Sequence, residues 1–174
     1  GLGLDKQKLY VSIYKDDDES FLHWRDAVGI EAERIQRFGD IEKGDEENFW
    51  SMGPVGPCGP CTEIYIDLEP ELPCTWGPGY PEDRYLELWN LVFMTSNRDD
   101  AGNLTDLPMC SVDTGMGLER IVSVMQSVES VYETDLFRGI LEATARALGK
   151  TLTQKEILQS ADLNAYRVIA DHIR

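Results

Sequence analysis

Residues 9–14, LYVSIY, alternate in the period-two manner of a strand and are rich in β-formers. The pattern then changes in DDDESFLHWRDAVG. Asp18 or Ser20 is a candidate helix cap, Phe21, Trp24 and Val28 fall on one face, and Gly29 ends the element. DIEKGDEEN, 40–48, reads as a charged turn. NFWSM predicts a short strand and TEIYID a second alternating one. LEPELPCTWGPGYPED, 68–83, is a Pro/Gly-rich loop expected on the surface. RYLELWNLVFMTSNR, 84–98, is the most apolar stretch and predicts a central strand, followed by a turn in DDAGNLTDLP.

SVDTGMGLERIVSVMQ predicts a short strand, a turn punctuated by glycines, and a helix from near Met116. TDLFRGILEATARALG, 134–149, has helical period, with Thr134 as cap and Gly149 as stop. A last helix is expected over roughly 162–174. Alternating strands and helices grouped at the ends predict an α+β fold.

The 174-residue length suits one domain, or one and a piece of another, and is enough to bury a real core. A hydrophobic share of 42% and a charged share of 28% are ordinary for a globular chain. The net charge of −16 argues against this segment being the main phosphate-gripping surface of a nucleic-acid binder, because such surfaces are basic. No apolar run has the length of a membrane span, and the first residues lack the plan of a signal peptide. Four cysteines are too few for a disulfide scaffold, which sets the expectation of a reducing, cytoplasmic location.

Cys58-Gly-Pro-Cys61 has redox or zinc spacing. A redox pair sits at a helix start, however, whereas a strand pattern follows here. A zinc site needs further ligands, and Cys74, Cys110, His23 and His172 lack partner spacing. GPVGPCGPC reads instead as a rigid turn leading into the TEIYID strand. Gly115 and Gly117 in SVDTGMGLER form a G-x-G that could admit a nucleotide phosphate. Arg120 could pair with it, and Asp113 could hold a cation or an ammonium. The same residues also fit a capped helix with a surface ion pair. Asn90, alone among apolar neighbours in WNLVF, either is satisfied by backbone or faces a polar substrate. Trp50 is either core or a pocket wall.

Taken together and in order, NFWSMGPVGPCGPCTEIYID, RYLELWNLVFMTSNR and SVDTGMGLERI resemble the catalytic domain of the alanyl-tRNA synthetases, a family of class II aminoacyl-tRNA synthetases. GMGLERI is similar to the third class II signature, and the resemblance runs from about Leu9 to Arg174. It implies an antiparallel sheet flanked by helices. It also implies activation of alanine with ATP and Mg²⁺ to alanyl-adenylate, then transfer to tRNA(Ala). By motif, Asp113 would pair with the ammonium of alanine and Asn90 would also hold the amino acid, while Trp50 and Val92 shape the pocket. Arg120 would face the ATP, Gly115 and Gly117 would allow its close approach, and Glu63 would help hold Mg²⁺.

The resemblance further implies that residues 1–150 are the C-terminal half of the catalytic core. Residues 151–174 would begin a helical tRNA-recognition region. The first two class II motifs and the editing domain have no counterpart here, so the segment alone is expected to be inactive. The sequence also departs from the family in SMGPVGP, which lacks an acidic residue common before the Gly-Pro, and in the long 68–83 loop.

Overall fold

The computed structural model describes residues 2–174. The chain forms two compact units, the first reaching Gly117 and the second running from Leu118 to Arg174. Among the described residues the first unit contains a six-stranded sheet: β1 (Leu9–Tyr14), β2 (Ile35–Phe38), β3 (Phe49–Ser51), β4 (Gly56–Asp67), β5 (Tyr85–Arg98) and β6 (Leu104–Met116). The order is β2-β1-β4-β5-β6, and β3 pairs with the first part of β4. Pairing is antiparallel except between β1 and β2. The fold is therefore α+β as expected, with one parallel pair in an otherwise antiparallel sheet.

That parallel pair needs a crossover of a dozen or more residues. Residues 15–34 supply it through α1 (Asp18–Leu22) and a π-helical continuation, His23–Val28. The cap is Asp17, not Asp18 or Ser20: its carboxylate accepts the Ser20 N–H at 2.9 Å and the Ser20 hydroxyl at 2.6 Å. Gly29 ends the segment at a φ of 82°, where a Cβ is disfavoured. Phe21 and Trp24 pack on Val11, Ile13, Ile30 and Ile35. Trp24 Nε1–H also donates to Thr62 Oγ1 at 2.8 Å, which ties the crossover to β4. Strand β2 was not expected from the sequence. IQRF is short and carries polar residues at its centre, so neither length nor alternation marks it.

Strand β4 corrects the expected turn at the Gly-Pro-Cys run, because it starts at Gly56 and contains both cysteines. The ladder to β5 skips between Cys58 and Cys61 as a bulge, where Pro60 has no N–H to give. Gly59 permits the skip. A Cβ there would lie 1.9 Å from the Phe93 carbonyl oxygen, so the two backbones approach too closely for any other residue.

Strand β6 is a second correction. It spans residues 104–116, taking in the expected LTDLP turn and Gly115. The helix that follows, α2, begins at Leu118 rather than near Met116.

The 68–83 loop has no regular structure, as expected, but it is not all on the surface. Trp76 and Tyr80 pack with Tyr10, Phe38, Tyr65 and Tyr85. Tilted and edge-on aromatic contacts of this kind add about 0.5–1.5 kcal/mol per pair beyond area burial. The loop base is closed by the buried pair of Arg84 and Asp67, with two bonds of 2.8 Å, and Arg84 also donates to the Pro73 carbonyl at 2.8 Å.

The second unit comprises α2 (Leu118–Gln126), α3 (Asp135–Ala147), α4 (Gln154–Leu158) and α5 (Leu163–Ile173). Its core is Phe137, Leu141, Ala145, Ile157, Tyr166 and Ala170. Thr134 caps α3 by position but without a side-chain bond to the helix backbone. Helix α4, one short turn that the sequence reading passed over, is set by a capping box between Thr153 and Glu156. Among the described residues no helix is long and apolar enough to cross a membrane.

Candidate functional site

In β4, β5 and β6 the register decides which side chains meet. Glu63 stands opposite Asn90, and Asn90 opposite Gly115. One row along, Cys61 stands opposite Val92, and Val92 opposite Asp113. Directly opposed residues lie on the same face of a sheet. Glu63, Asn90, Val92, Asp113 and Gly115, scattered over more than fifty positions, therefore share one surface.

A cavity of about 190 Å³ opens on that surface, lined by Trp50, Asn90, Val92, Asp113, Thr114 and Gly115. Sites for drug-sized ligands run from about 300 to 1,000 Å³, so this one fits a smaller molecule. Trp50, beside Cys61, Val92 and Met94, forms an apolar wall. Val92 is buried, whereas Asp113 is exposed. A Cβ on Gly115 would meet nothing within 4 Å, so space above this strand position is open. The arrangement offers a carboxylate, an amide, a bare backbone position and an apolar wall to a small ligand carrying a positive charge.

Five sequence-predicted residues are thus brought together. Glu63 does not line the cavity. It sits behind Asn90 and is surrounded by donors: Asn90 Nδ2–H at 2.9 Å and Cys61 Sγ–H at 3.7 Å reach Oε1, and Tyr65 O–H at 2.5 Å and Ser12 O–H at 3.4 Å reach Oε2. Burial, the largest influence, pushes its carboxyl above the ordinary range. Gly117 follows β6, its N–H donating to the Leu88 carbonyl at 3.1 Å. Arg120 is an exposed residue in the first turn of α2, in the second unit.

Both oxygens of Glu63 are engaged by protein donors. Among the described residues no group of three or more His, Cys, Asp or Glu could hold a metal ion. Cys58 and Cys61 are free and buried, and burial pushes the Cys61 thiol up to about 12, the opposite of a reactive redox thiol.

The sequence reading missed Thr114, Ser12 and Tyr65. Thr114 Oγ1–H donates to the Asn90 carbonyl at 3.1 Å and accepts from Trp89 Nε1–H, fixing the β5–β6 edge of the cavity. Its place beside Asp113 in SVDTG was the available signal. Ser12 and Tyr65 had none, since their partners lie 51 and 2 residues away across or along the sheet.

Comparison with known proteins places the chain in a family. The family model for tRNA synthetases class II (A) matches residues 1–174. The chain is 52% identical over 181 residues to an alanine–tRNA ligase of Burkholderia vietnamiensis, covering 98% of this chain and 19% of that protein. An alanine–tRNA ligase of Bordetella avium is 51% identical over 179 residues, with the same coverage. The chain thus spans about a fifth of the length of these curated relatives. With the motifs in order, the α+β sheet and a match over its whole length, the chain belongs to the class II (A) family of tRNA synthetases.

Proposed function

We propose that the complete protein carrying this chain is an alanine–tRNA ligase. It would activate alanine with ATP and pass the alanyl group to tRNA(Ala), and residues 9–117 would supply the amino-acid pocket. The observation that carries this reading is the cavity that joins Asp113 and Asn90 to the Val92 and Trp50 walls. A carboxylate facing an ammonium in a small, partly dry site makes a strong charge-assisted bond. The apolar wall suits a methyl side chain.

The chemistry asked of these residues is positioning. The carboxylate oxygen of alanine attacks the α-phosphorus of ATP, a bond to that phosphorus forms, and the bond to pyrophosphate breaks. No general base is required, because the attacking carboxylate is already ionised. Asp113 and Asn90 would hold the amino group so that the carboxylate end points at the nucleotide. The open space above Gly115 would admit the nucleotide, and the permanent charge of Arg120 would offset phosphate charge. Gly117 would likewise allow close approach of the nucleotide.

In the same reading, residues 1–150 belong to the catalytic core and 151–174 begin the tRNA-recognition region. The segment alone is inactive, and the protein works in the cytoplasm.

Alanine-dependent ATP–pyrophosphate exchange by the complete protein tests the proposal. Asp113→Ala should lower it by at least about 10²-fold, the scale of a lost contact of ~2.7 kcal/mol. No exchange from a folded complete protein would overturn the reading. Exchange that survives the substitution would overturn the role of Asp113.

A further inference from the structure

Asn90 is held asymmetrically. Its Nδ2–H donates to Glu63 Oε1 at 2.9 Å, while its Oδ1 is buried and has no hydrogen-bond partner. Buried side-chain acceptors normally find a donor. An orphaned one in a residue that lines a cavity is set for a donor arriving with the ligand. The two ends of an amide differ only in whether they donate or accept. Which end faces the ligand is therefore decided by whatever stands behind the residue, and here that is an acceptor.

We propose that Glu63 is a positioning residue of the amino-acid pocket: by accepting the Asn90 amide N–H, it keeps the Asn90 carbonyl oxygen available as a second acceptor, beside Asp113, for the ammonium group of the substrate. The inference rests on the reading of the pocket as an alanine site. It gives Glu63 a role different from the nucleotide-side one expected from the sequence.

Two hydroxyl groups further hold Glu63 in place. Tyr65 O–H donates to Oε2 at 2.5 Å and itself accepts from Tyr80 O–H at 3.3 Å. Ser12 O–H donates to Oε2, and the Ser12 oxygen accepts from Asn48 Nδ2–H at 2.8 Å. The chain of bonds therefore runs from Tyr80, in the 68–83 loop, through Tyr65 and Glu63 to Asn90 at the cavity. Glu63 and Asn90 are opposed on neighbouring strands, so the sheet itself fixes the distance between them.

The test uses the complete protein and measures kcat and the KM for alanine and for ATP separately. Glu63→Leu removes the acceptor and lets the Asn90 amide turn. The KM for alanine should rise at least about tenfold, the loss of one buried polar contact. The KM for ATP should stay within about threefold, well under that tenfold step. Glu63→Gln, which keeps an oxygen toward Asn90, should recover most of the loss. If Glu63→Leu does not fold, Glu63→Asp, which draws the acceptor back by one methylene, should raise the alanine KM in the same direction.

A rise confined to the ATP KM would overturn the proposal, as would a Gln variant no better than the Leu variant. Hydrogen exchange of the Asn90 side-chain amide gives a readout free of activity: slow in the wild type, fast in the Leu variant, with equal rates overturning the proposal. Should the wild type lack alanine-dependent exchange activity, the alanine reading fails while the amide measurement still decides the Glu63–Asn90 relationship.

Discussion

Asp113 and Val92 stand directly opposite each other in the β5–β6 ladder. Opposed side chains share a face, with Cβ atoms about 5 Å apart. A carboxylate and a branched apolar wall are thus presented to the same small ligand, and each limits what the other can accept. The carboxylate asks for a positive charge, and the wall leaves little room beside it.

The wall's part can be measured through selectivity. Val92→Ala widens the cavity by removing buried methyl groups. A pocket of this kind separates alanine from serine by only about 10²-fold at best. The variant should narrow the ratio of alanine to serine activation by about tenfold, read from pyrophosphate exchange with each amino acid. An unchanged ratio would place the side chain of the substrate elsewhere.

Gly59 is the position where backbone approach is tightest. Gly59→Ala puts a methyl group 1.9 Å from the Phe93 carbonyl oxygen, where only backbone movement could relieve it. Overpacking of this kind costs about 1–3 kcal/mol or more. Denaturant unfolding of the variant should show at least that loss, and pocket affinity should fall with it because Val92 adjoins Phe93. A variant as stable as the wild type would contradict the bulged pairing of β4 and β5.

The thiols should divide by location. Cys74 and Cys110 are exposed, whereas Cys58 and Cys61 are buried. Burial raises both buried thiols, Cys61 to about 12. A thiol reagent added to the native protein at neutral pH should modify Cys74 and Cys110 first. Cys58 and Cys61 should react only as the sheet opens. Fast labelling of Cys61, or stoichiometric zinc in the purified protein, would revive the redox and metal readings.

Glu63 makes a pH-dependent contribution. Burial raises its carboxyl above the ordinary value of 4.5, with Glu87 pushing the same way and the bond from Tyr65 opposing. A raised folded-state value makes ionisation costlier in the folded chain than in the unfolded one. Relative to Glu63→Gln, the wild type keeps its full stability below the unfolded pKa. It loses stability as the pH rises from there through the folded value, and the difference is constant above it. Melting temperatures of the two proteins from about pH 4 to pH 8 would check the sign. A difference independent of pH would show that Glu63 titrates normally.

Much of this protein was legible in the linear sequence. Strands β1 and β3, the apolar β5 and helix α3 follow from short-range periodicity, which depends only on neighbours within a turn or a pleat. The motif order carried the family, and with it Asp113, Asn90, Val92 and Trp50 as pocket residues. Local rules failed where pairing partners override them. The Gly-Pro-Cys run has the composition of a turn, yet β3 and β5 hold it in β4, with the unpairable Pro60 placed in a bulge. Strand β2 is strand only because β1 lies beside it. The sequence by itself determined which residue types were available and on which face of each element they fall. Tertiary structure alone decided register, and so the meeting of Glu63 with Asn90, 27 residues away. A one-residue slip in either ladder would turn the side chains of the shifted strand to the opposite face.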